Sequence, residues 1–244
     1  MHKEIIGHSS FTFKFVEEPV LMDQVYRLRF QVYCEECHFI KEEEYPDDRE
    51  QDKYDQYALH FVVEDNFEVI GTMRLILDSS EGFPIEERCG SGLQFDKTSV
   101  PRNKIAEISR LVISKDYRRR KDDGLYYTPE FDEKALLGNS NNPFRRIRTM
   151  TFGMYRELYH ESKRRGLTHW YALMEKSLWK LLDLNGFVFK PIGHEIDYYG
   201  MVTPYVGCIE EIEHEFYKKY PQFFTKFFLD GLETGFYPKF LASI

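Results

Sequence analysis

Residues 58–77 read ALHFVVEDNFEVIGTMRLIL, and this stretch decides the fold class. Two runs rich in β-branched and apolar residues flank Asp65-Asn66, a pair that is typical of a tight turn. The stretch therefore predicts a β-hairpin. Strands and helices alternate on both sides of it, in the predicted order β-α-β-β-β-α-β-α-β-β, and further helices follow. This order predicts one α/β domain with a mixed sheet.

The remaining elements follow from apolar periodicity and from residues that begin and end helices. A strand over 10–16 and a helix over 20–39 precede the hairpin, and an acidic, exposed loop joins that helix to it. Pro143 and Gly166 mark the start and the end of a long helix. The other predicted elements are a short helix at 84–89, strands over 104–114, 168–174, 187–193 and 201–209, and helices over 175–186, 212–219 and 221–232.

Composition excludes several classes of protein. The chain has 244 residues, of which 42% are hydrophobic and 30% charged, with a formal net charge of −8 and a pI near 5.6. An acidic chain without a recognised binding motif suits nucleic acid poorly, so no nucleic-acid partner is expected. No run approaches the roughly 18 apolar residues that a membrane span requires. The N-terminal residues lack the apolar core of a secretory signal, so a cytoplasmic location is expected.

The motif C-x-x-C-H occurs at Cys34, Cys37 and His38, and it is typical of covalent haem attachment. Haem attachment requires export, for which the sequence shows no signal, and Cys37 continues an apolar helical row as a small hydrophobic residue. We therefore interpret these residues as part of a buried helix face. Only four cysteines occur and no second C-x-x-C completes a zinc site, so no metal is expected.

The segment EISRLVIS, residues 107–114, carries the residues best suited to chemistry. Side chains alternate along a strand, so Glu107 and Ser109 share one face of a regular strand and Arg110 points to the other. A β-bulge between them would bring Glu107 and Arg110 to one side. The alternative is that these two residues form an ion pair at a surface or an interface.

Three further features favour the chemical interpretation. Arg74 lies inside an apolar strand, where a buried charge requires a partner. Arg29 lies on the first predicted helix. The loop segment EQDKYD supplies the carboxylates of Glu50, Asp52 and Asp55.

Together, these residues resemble the acyl-homoserine-lactone (autoinducer) synthase family over roughly residues 20–115. That family carries R-x-x-x-F and a Trp around its first helix, then E-x-D-x-x-D, a G-T-x-R strand and E-x-S-R. The corresponding positions here are Arg29, Tyr33, Phe39, Glu50, Asp52, Asp55, Gly71, Thr72, Arg74, Glu107, Ser109 and Arg110. Phe39 stands in place of the family's Trp.

The second half of the chain resembles acyltransferases of the GNAT superfamily, through LVISKDYRRR at 111–120 and KSLWKLLDLNGFVFKPIG at 176–193. The combination is most similar to the N-acyl amino acid synthases, especially the acyltransferases encoded with PEP-CTERM/exosortase systems. Residues 118–142 replace the superfamily's glycine-rich pyrophosphate loop. The resemblance implies a GNAT-like fold with a central mixed, largely antiparallel, twisted sheet flanked by helices. It implies a single domain over 1–244, with aromatic C-terminal helices at 212–244 as an appendage.

The resemblance also implies a function, that of an N-acyltransferase. Such an enzyme moves a fatty acyl group from an acyl carrier protein or acyl-CoA thioester to the amine of a small acceptor, an amino acid or a derivative. The thioester is then a co-substrate, and no resident cofactor is expected. The implied catalytic residues are Glu107, Ser109 and Arg110. The implied acceptor-binding residues are Arg29, Phe39, Glu50, Asp52, Asp55 and Arg74. The alternative is a non-catalytic regulatory protein that retains the fold and binds acyl carrier protein or lipid.

Acyl transfer suits the residues present. An attacking amine must lose a proton, and a carboxylate such as Glu107 could take it directly or through a water. Backbone N–H groups freed by a bulge in the 105–113 strand would stabilise the oxyanion.

Basic clusters could bind phosphopantetheine or an acidic carrier protein, despite the negative net charge. Their candidate residues are Arg118, Arg119, Arg120, Arg145, Arg146 and Arg148. A third cluster, at 163–165, is either part of the same patch or a solvated helix face. The aromatic residues between 216 and 228 are interpreted as core packing, with an acyl-chain tunnel or a peripheral membrane contact as the alternative.

Overall fold

The computed structural model describes residues 2–6, 9–96, 98–117 and 143–243. The strands within these residues are β1 (His2–Ile6), β2 (Ser9–Phe15), β3 (Ala58–Asp65), β4 (Glu68–Ile76), β5 (Ile105–Ile113), β6 (His169–Met174), β7 (Lys190–Pro191), β8 (Ile196–Asp197) and β9 (Met201–Cys208). The helices are α1 (Pro19–Phe30), α2 (Pro84–Cys89), α3 (Pro143–Arg164), α4 (Lys176–Leu184), α5 (Ile209–Lys219) and α6 (Pro221–Phe223). A π-helical segment, Gln31–Glu36, continues α1, and another, Phe224–Phe228, continues α6.

The described strands form a sheet in the order β1-β2-β3-β4-β5-β6-β9-β7, and the short β8 pairs with β9. β5 and β6 are parallel, and the other neighbouring pairs are antiparallel. The connection from β5 to β6 contains α3, because parallel neighbours require a long crossover. The predicted fold, an α/β protein with a mixed, largely antiparallel sheet flanked by helices, is confirmed.

One face of the sheet, here called the apolar face, packs against α3 and the C-terminal helices. Alternate residues of the strands point to it, such as Phe61 on β3, Met73 on β4 and Ile108 on β5. α3 approaches β2 so closely that a Cβ at Gly153 would lie 2.3 Å from the ring of Phe13. The interpretation of the C-terminal aromatic residues as core packing is confirmed, since the same core contains Phe216, Tyr220, Phe223, Phe224 and Phe228.

The opposite face, here called the charged face, lies against α1 and α2. Apolar clusters beneath these two helices border a central row of polar side chains. In that row His60 on β3 is the register partner of Arg74 on β4, which is in turn the partner of Ser109 on β5. The same strands therefore present hydrocarbon to one side and ionisable groups to the other.

β5 contains a bulge of the kind that would bring Glu107 and Arg110 to one side of the strand. Arg74 pairs with Ser109 and Thr72 pairs with Val112, so three steps along β5 match two steps along β4. Arg110 adopts a left-handed backbone conformation within the bulge, with a φ of 52°. The extra residue turns Arg110 onto the charged face, where the alternation of a regular strand would not place it.

Two boundaries near the N-terminal half differ from the predictions. The hairpin turn is Asn66-Phe67, one residue later than predicted, and both residues have positive φ, of 50° and 68°. This turn geometry matches the twist of the flanking strands. The helix predicted over 20–39 is α-helical only to Phe30 and then π-helical, with the N–H of Cys37 donating to the carbonyl of Val32 at 3.0 Å.

The short strands β1 and β8 were not predicted, and the strand predicted over 187–193 pairs only at Lys190–Pro191. That segment uses other hydrogen-bond partners, because Pro191 has no N–H and the carbonyl of Phe189 accepts from the indole N–H of Trp179 at 2.9 Å. Across the described part of the chain, no helix combines the length and the apolar character needed to cross a membrane.

Candidate active site

The charged face buries a network of three arginines and three carboxylates. α1 supplies Arg29, β4 supplies Arg74 and β5 supplies Arg110. The loop before β3 supplies the carboxylates of Glu50, Asp52 and Asp55. Motifs that are separate in the sequence therefore meet at one place in the fold.

Arg29 and Arg74 both bind the carboxylate of Asp55. Nη1 of Arg29 lies 2.7 Å from Oδ1 of Asp55, and Nη1 of Arg74 lies 2.8 Å from the same oxygen. Arg74 also donates to both oxygens of Asp52, at 2.7 and 3.1 Å. The backbone N–H of Asp52 donates to Oδ2 of Asp55 at 2.7 Å, so the acidic turn is closed on itself and held against the sheet.

Arg110 and Arg29 bind the third carboxylate, Glu50, from two directions. Nη2 of Arg110 donates to Oε1 of Glu50 at 2.8 Å and to Oδ2 of Asp52 at 3.0 Å, and Nε of Arg29 donates to Oε2 of Glu50. The prediction of an exposed acidic loop is wrong for Glu50 and Asp55, which are buried because the buried arginines require partners. Asp52 keeps 23% of its side chain exposed, so the network meets solvent there.

The arginines determine the ionisation of the buried carboxylates. Burial alone would raise the pKa of Glu50, but the charges of Arg29 and Arg110 outweigh burial and lower that pKa to about 2. Burial likewise opposes ionisation of Asp55, and Arg29 and Arg74 hold its pKa well below the usual range. Both groups stay ionised at neutral pH and are weak bases, which suits them to electrostatic positioning rather than to proton transfer.

Glu107 lies beside the network and is held differently. Its side chain is 1% exposed, and Oε2 accepts a hydrogen bond of 2.9 Å from the backbone N–H of Ile85, in the first turn of α2. Burial raises the pKa of Glu107 to about 8, although the Ile85 N–H and the charge of Arg74 partly oppose the shift. Arg110 directs its hydrogen bonds to the network carboxylates, so the alternative of a Glu107–Arg110 ion pair at a surface is wrong.

The sheet opens beside Ser109. Pairing between β5 and β6 ends at Ile108 and Ala172, although both strands continue beyond these residues. No described strand pairs with β5 on that side after Ile108, so within the described residues the edge of β5 at 109–113 has no neighbouring strand there. Ser109 lies at the start of this opening, where its Oγ accepts a hydrogen bond of 3.0 Å from Nε of Arg74.

Two aromatic rings, Tyr33 and Tyr199, border Arg110, and a third ring packs against them. Its guanidinium lies 4.8 Å from the ring centroid of Tyr199 and donates to the Tyr199 hydroxyl at 3.2 Å. Tyr33 stacks on Tyr199 with centroids 5.4 Å apart, and Phe39 lies 6.4 and 6.5 Å from these two rings. Phe39 is 40% exposed, so the cluster offers an accessible apolar surface next to the charged network.

Sequence reasoning missed Tyr199, which reaches Arg110 from the turn between β8 and β9 and carries no local signal. It also missed His60, which lies opposite Arg74 and could have been found from strand alternation. Nε2 of His60 lies 3.6 Å from Oδ1 of Asp55. Burial lowers the pKa of His60 to about 4, so this imidazole is neutral at pH 7.

The basic clusters are only partly described. Arg118, Arg119 and Arg120 lie outside the described residues, and Arg145, Arg146 and Arg148 lie at the start of α3 with side chains outside the description. In the third cluster, Lys163 pairs with Glu213 at 2.6 Å and Arg164 pairs with Glu161 at 2.9 Å and Glu233 at 3.1 Å. These pairs support its interpretation as an ordinary helix face. Within the residues described, no group of three or more His, Cys, Asp or Glu is arranged to hold a metal ion.

Comparisons with solved structures show what this fold resembles. An N-acyl amino acid synthase, FeeM, from uncultured soil microbes matches with a TM-score of 0.59 and 11% identity, over 85% of this chain and 95% of that one. The acyl-homoserine-lactone synthase LasI matches with a TM-score of 0.56 and 16% identity, over 83% and 91%. The CoA-dependent acyl-homoserine lactone synthase BjaI, with SAM and isopentyl-CoA, matches with a TM-score of 0.59 and 17% identity, over 86% and 90%. At these identities the likeness shows the fold.

The sequence itself matches a family model. Residues 28–137 match the family described as an acetyltransferase (GNAT) domain, a range that contains all three arginines, all three carboxylates and Glu107. A comparison with curated proteins finds no significant match. The sheet agrees with the family match, and residues 28–137 are similar to an acetyltransferase (GNAT) domain.

Proposed function

We propose that this protein is an N-acyltransferase that moves a fatty acyl group from the thioester of acyl carrier protein, or of CoA, to the amine of a small acceptor. The acceptor class that we propose is an amino acid or an amino acid derivative. One observation carries the proposal: Glu107, Ser109 and Arg110 lie on β5 where its pairing with β6 ends. A reacting thioester could therefore lie in the opening with ionisable groups beside it.

The opening in the sheet supports a role in binding the donor. A pantetheine arm carries amide groups, and it can pair as an added strand does with the part of β5 that no described strand covers on the β6 side. The bulge at Arg110 interrupts the regular ladder with β4, and backbone N–H groups near it are candidate donors to the oxyanion. Loss of one such donor typically costs about 3 kcal/mol of transition-state stabilisation.

Glu107 is the proposed general base. In the reaction the amine nitrogen attacks the thioester carbonyl, the new C–N bond forms, the C–S bond breaks and the thiolate leaves. The amine proton passes to Glu107, directly or through a water. A pKa of about 8 favours this role, because a base works best when its pKa lies near the operating pH.

The network and the aromatic cluster are the proposed acceptor site. Asp52 is partly exposed and lies between Arg74 and Arg110, where it can accept hydrogen bonds from an ammonium group of the acceptor. Phe39 offers an exposed ring to the rest of that molecule. The structural neighbours support a small amine as acceptor, since one is an N-acyl amino acid synthase and another holds SAM and isopentyl-CoA. The association with PEP-CTERM/exosortase systems remains part of the proposal and is supported by the sequence resemblance.

One experiment tests the proposed function. The protein is incubated with acyl carrier protein and CoA carrying mixed acyl chains, together with pooled amino acids and S-adenosylmethionine, and products are identified by mass spectrometry. The proposal predicts an N-acylated product that disappears with folded Glu107→Gln protein. Tight binding of acyl carrier protein without any acylated product would instead support the non-catalytic alternative.

A further inference from the structure

The short helix α2 joins three parts of the charged face through three successive residues. The backbone N–H of Ile85 donates to Glu107 at 2.9 Å. The carboxylate of Glu86 binds Arg102, and the carboxylate of Glu87 accepts from the hydroxyl of Tyr54 at 2.6 Å. Displacement of α2 would therefore remove a hydrogen bond from the candidate base.

Arg102 ties α2 to its surroundings through several contacts. Its Nη1 and Nη2 donate to the two oxygens of Glu86 at 2.9 and 2.7 Å, and its Nε donates to Asp78 at 2.7 Å. The guanidinium also lies 5.0 Å from the ring centroid of Phe83, the residue that precedes α2. Although 44% of the Arg102 side chain is exposed, its planar fork is held in three directions, which a lysine cannot reproduce.

The position of Arg102 in the chain adds to this argument. It lies in a single helical turn, Arg102–Lys104, immediately before β5, the strand that carries Glu107. The clamp therefore connects the start of α2 directly to the start of the strand on which the candidate base lies. A displacement of α2 would therefore change the distance between the Ile85 N–H and the Glu107 carboxylate.

We propose that Arg102 is a positioning residue for Glu107: it clamps α2 through Glu86 and Asp78 so that the Ile85 N–H stays on the Glu107 carboxylate. The kinetic consequence of this inference rests on the proposed function, whereas the hydrogen bond and its effect on Glu107 do not. Because an N–H donor favours the ionised carboxylate, loss of the clamp should make Glu107 harder to ionise.

Several other groups act on Glu107 and stay in place when Arg102 is changed. The arginines on β4 and β5 favour its ionised form, and Glu86 on α2 opposes it. Among the described residues, the titratable and charged groups that interact with Glu107 include Arg74, Arg110, Glu86, Tyr54, Cys89 and Tyr171. The effect of Arg102 on the ionisation of Glu107 through α2 must therefore be separated from the electrostatic effect of removing the Arg102 charge.

The test measures the ionisation of Glu107 without using activity. The free energy of unfolding is measured from pH 5 to 10 for the wild type, Glu107→Gln, Arg102→Gln and the double variant. Subtracting the value of each Glu107→Gln protein from that of its counterpart with Glu107 isolates the contribution of Glu107. Folding raises the pKa of Glu107. The contribution of Glu107 to the free energy of unfolding is therefore full below its pKa in the unfolded chain and is lost as pH rises through about 8. In the Arg102→Gln background we expect this loss to occur about one pH unit higher, as the loss of a hydrogen bond to a charged group predicts.

Two further variants make the result specific. Arg164→Gln is the matched control, because Arg164 bridges Glu161 and Glu233 on another part of the surface, and it should leave the Glu107 transition unchanged. Arg102→Lys keeps the positive charge but not the fork, and it should behave like Arg102→Gln.

An unshifted transition in Arg102→Gln, or full restoration by Arg102→Lys, would overturn the proposal. If acyl transfer is observed, the acidic limb of its pH–rate profile should move by the same amount as the stability transition. If no acyl transfer is found but the stability transition still shifts, the positioning role is supported and the proposed function fails by itself.

Discussion

The apolar face and the charged face are built from alternating residues of the same strands, yet they depend on opposite physical effects. On the apolar face, Phe61 and Met73 bury hydrocarbon against α3, and each such side chain stabilises the fold by roughly 1.5–3 kcal/mol. On the charged face, neighbours in the same strands are His60 and Arg74, whose burial is unfavourable unless partners compensate for lost hydration.

The difference shows that the apolar face is organised for stability, and it supports the proposal that the charged face is organised for chemistry. A buried ion network often stabilises a fold no better than well-packed hydrocarbon of the same volume. The charged face nevertheless buries Arg29, Arg74 and Glu50 completely, at a point where the sheet opens. Such an arrangement keeps groups in fixed orientations, which is what a reacting molecule requires.

The largest effect is expected from a change of Glu107. Glu107→Gln keeps the shape of the side chain and its contact with Ile85 but removes the proposed base, so turnover should fall by about 10²–10⁴-fold. Steady-state kinetics with saturating donor and acceptor measures the change, and circular dichroism confirms that the variant is folded. If folded Glu107→Gln protein kept near-normal turnover, a water or the acidic loop would have to take the proton instead.

The next largest effects are on the free energy of unfolding, and they compare one variant on each face. Arg29→Gln leaves Glu50 with one fewer arginine, so it should lower the free energy of unfolding by about 3–5 kcal/mol, as breaking a buried pair does. Phe152→Ala on the apolar face should cost a similar ~3–5 kcal/mol through the cavity it leaves. Urea denaturation measures both losses.

Kinetics then distinguishes these two variants. Below its melting temperature, Phe152→Ala should keep the wild-type KM for the acceptor, whereas Arg29→Gln should raise it because Glu50 and Arg110 lose their fixed orientation. Equal effects of the two variants on KM would show that the charged face has no special part in acceptor binding.

A smaller effect is expected at the exposed edge of the network. Asp52→Asn removes a charge that is 23% exposed and should raise the KM for the acceptor about tenfold, the loss of one charge-assisted hydrogen bond, with little change in kcat. Measurements at varied acceptor and saturating donor test this. A fall in kcat with unchanged KM would assign Asp52 to the chemical step.

The smallest effect concerns the donor. Reversing Arg145 and Arg146 to Glu should raise the apparent KM for acyl carrier protein several-fold at low salt, with less change in turnover, because charges near a docking surface act mainly on association. Lys163→Glu in the third basic cluster is the comparison variant. Unchanged carrier affinity at low salt would remove the start of α3 from the donor site.

Much of the fold could be predicted because it depends on local patterns. The β3–β4 hairpin follows from alternation, and α3 follows from Pro143, its apolar period and Gly166. The sequence showed that Glu107 and Arg110 could share a face only if β5 contained a bulge, but no local pattern indicated that the bulge was present. The short strands β1 and β8 escaped prediction because two to five residues carry too little periodicity.

The residues of the candidate site could be predicted from the sequence, but their burial could not. Sequence identified Asp55 and Glu50 as part of the site but expected them on an exposed loop, because an acidic run is usually solvated. Their burial depends on Arg29 and Arg74, which approach from distant elements. For the same reason Tyr199 could not be found, since its contact with the network arises only when the β8–β9 turn folds back.

The pH dependence of kcat/KM tests the central claim, that Glu107 beside the sheet opening is the general base, most directly. Because folding raises the pKa of Glu107 to about 8, its ionised fraction and the rate should both increase as pH rises through that value. We expect a wild-type profile with an acidic limb centred near pH 8 that is absent from Glu107→Gln, whose residual rate should vary little with pH over that range. An acidic limb that persists unchanged in the folded Glu107→Gln variant would contradict the account.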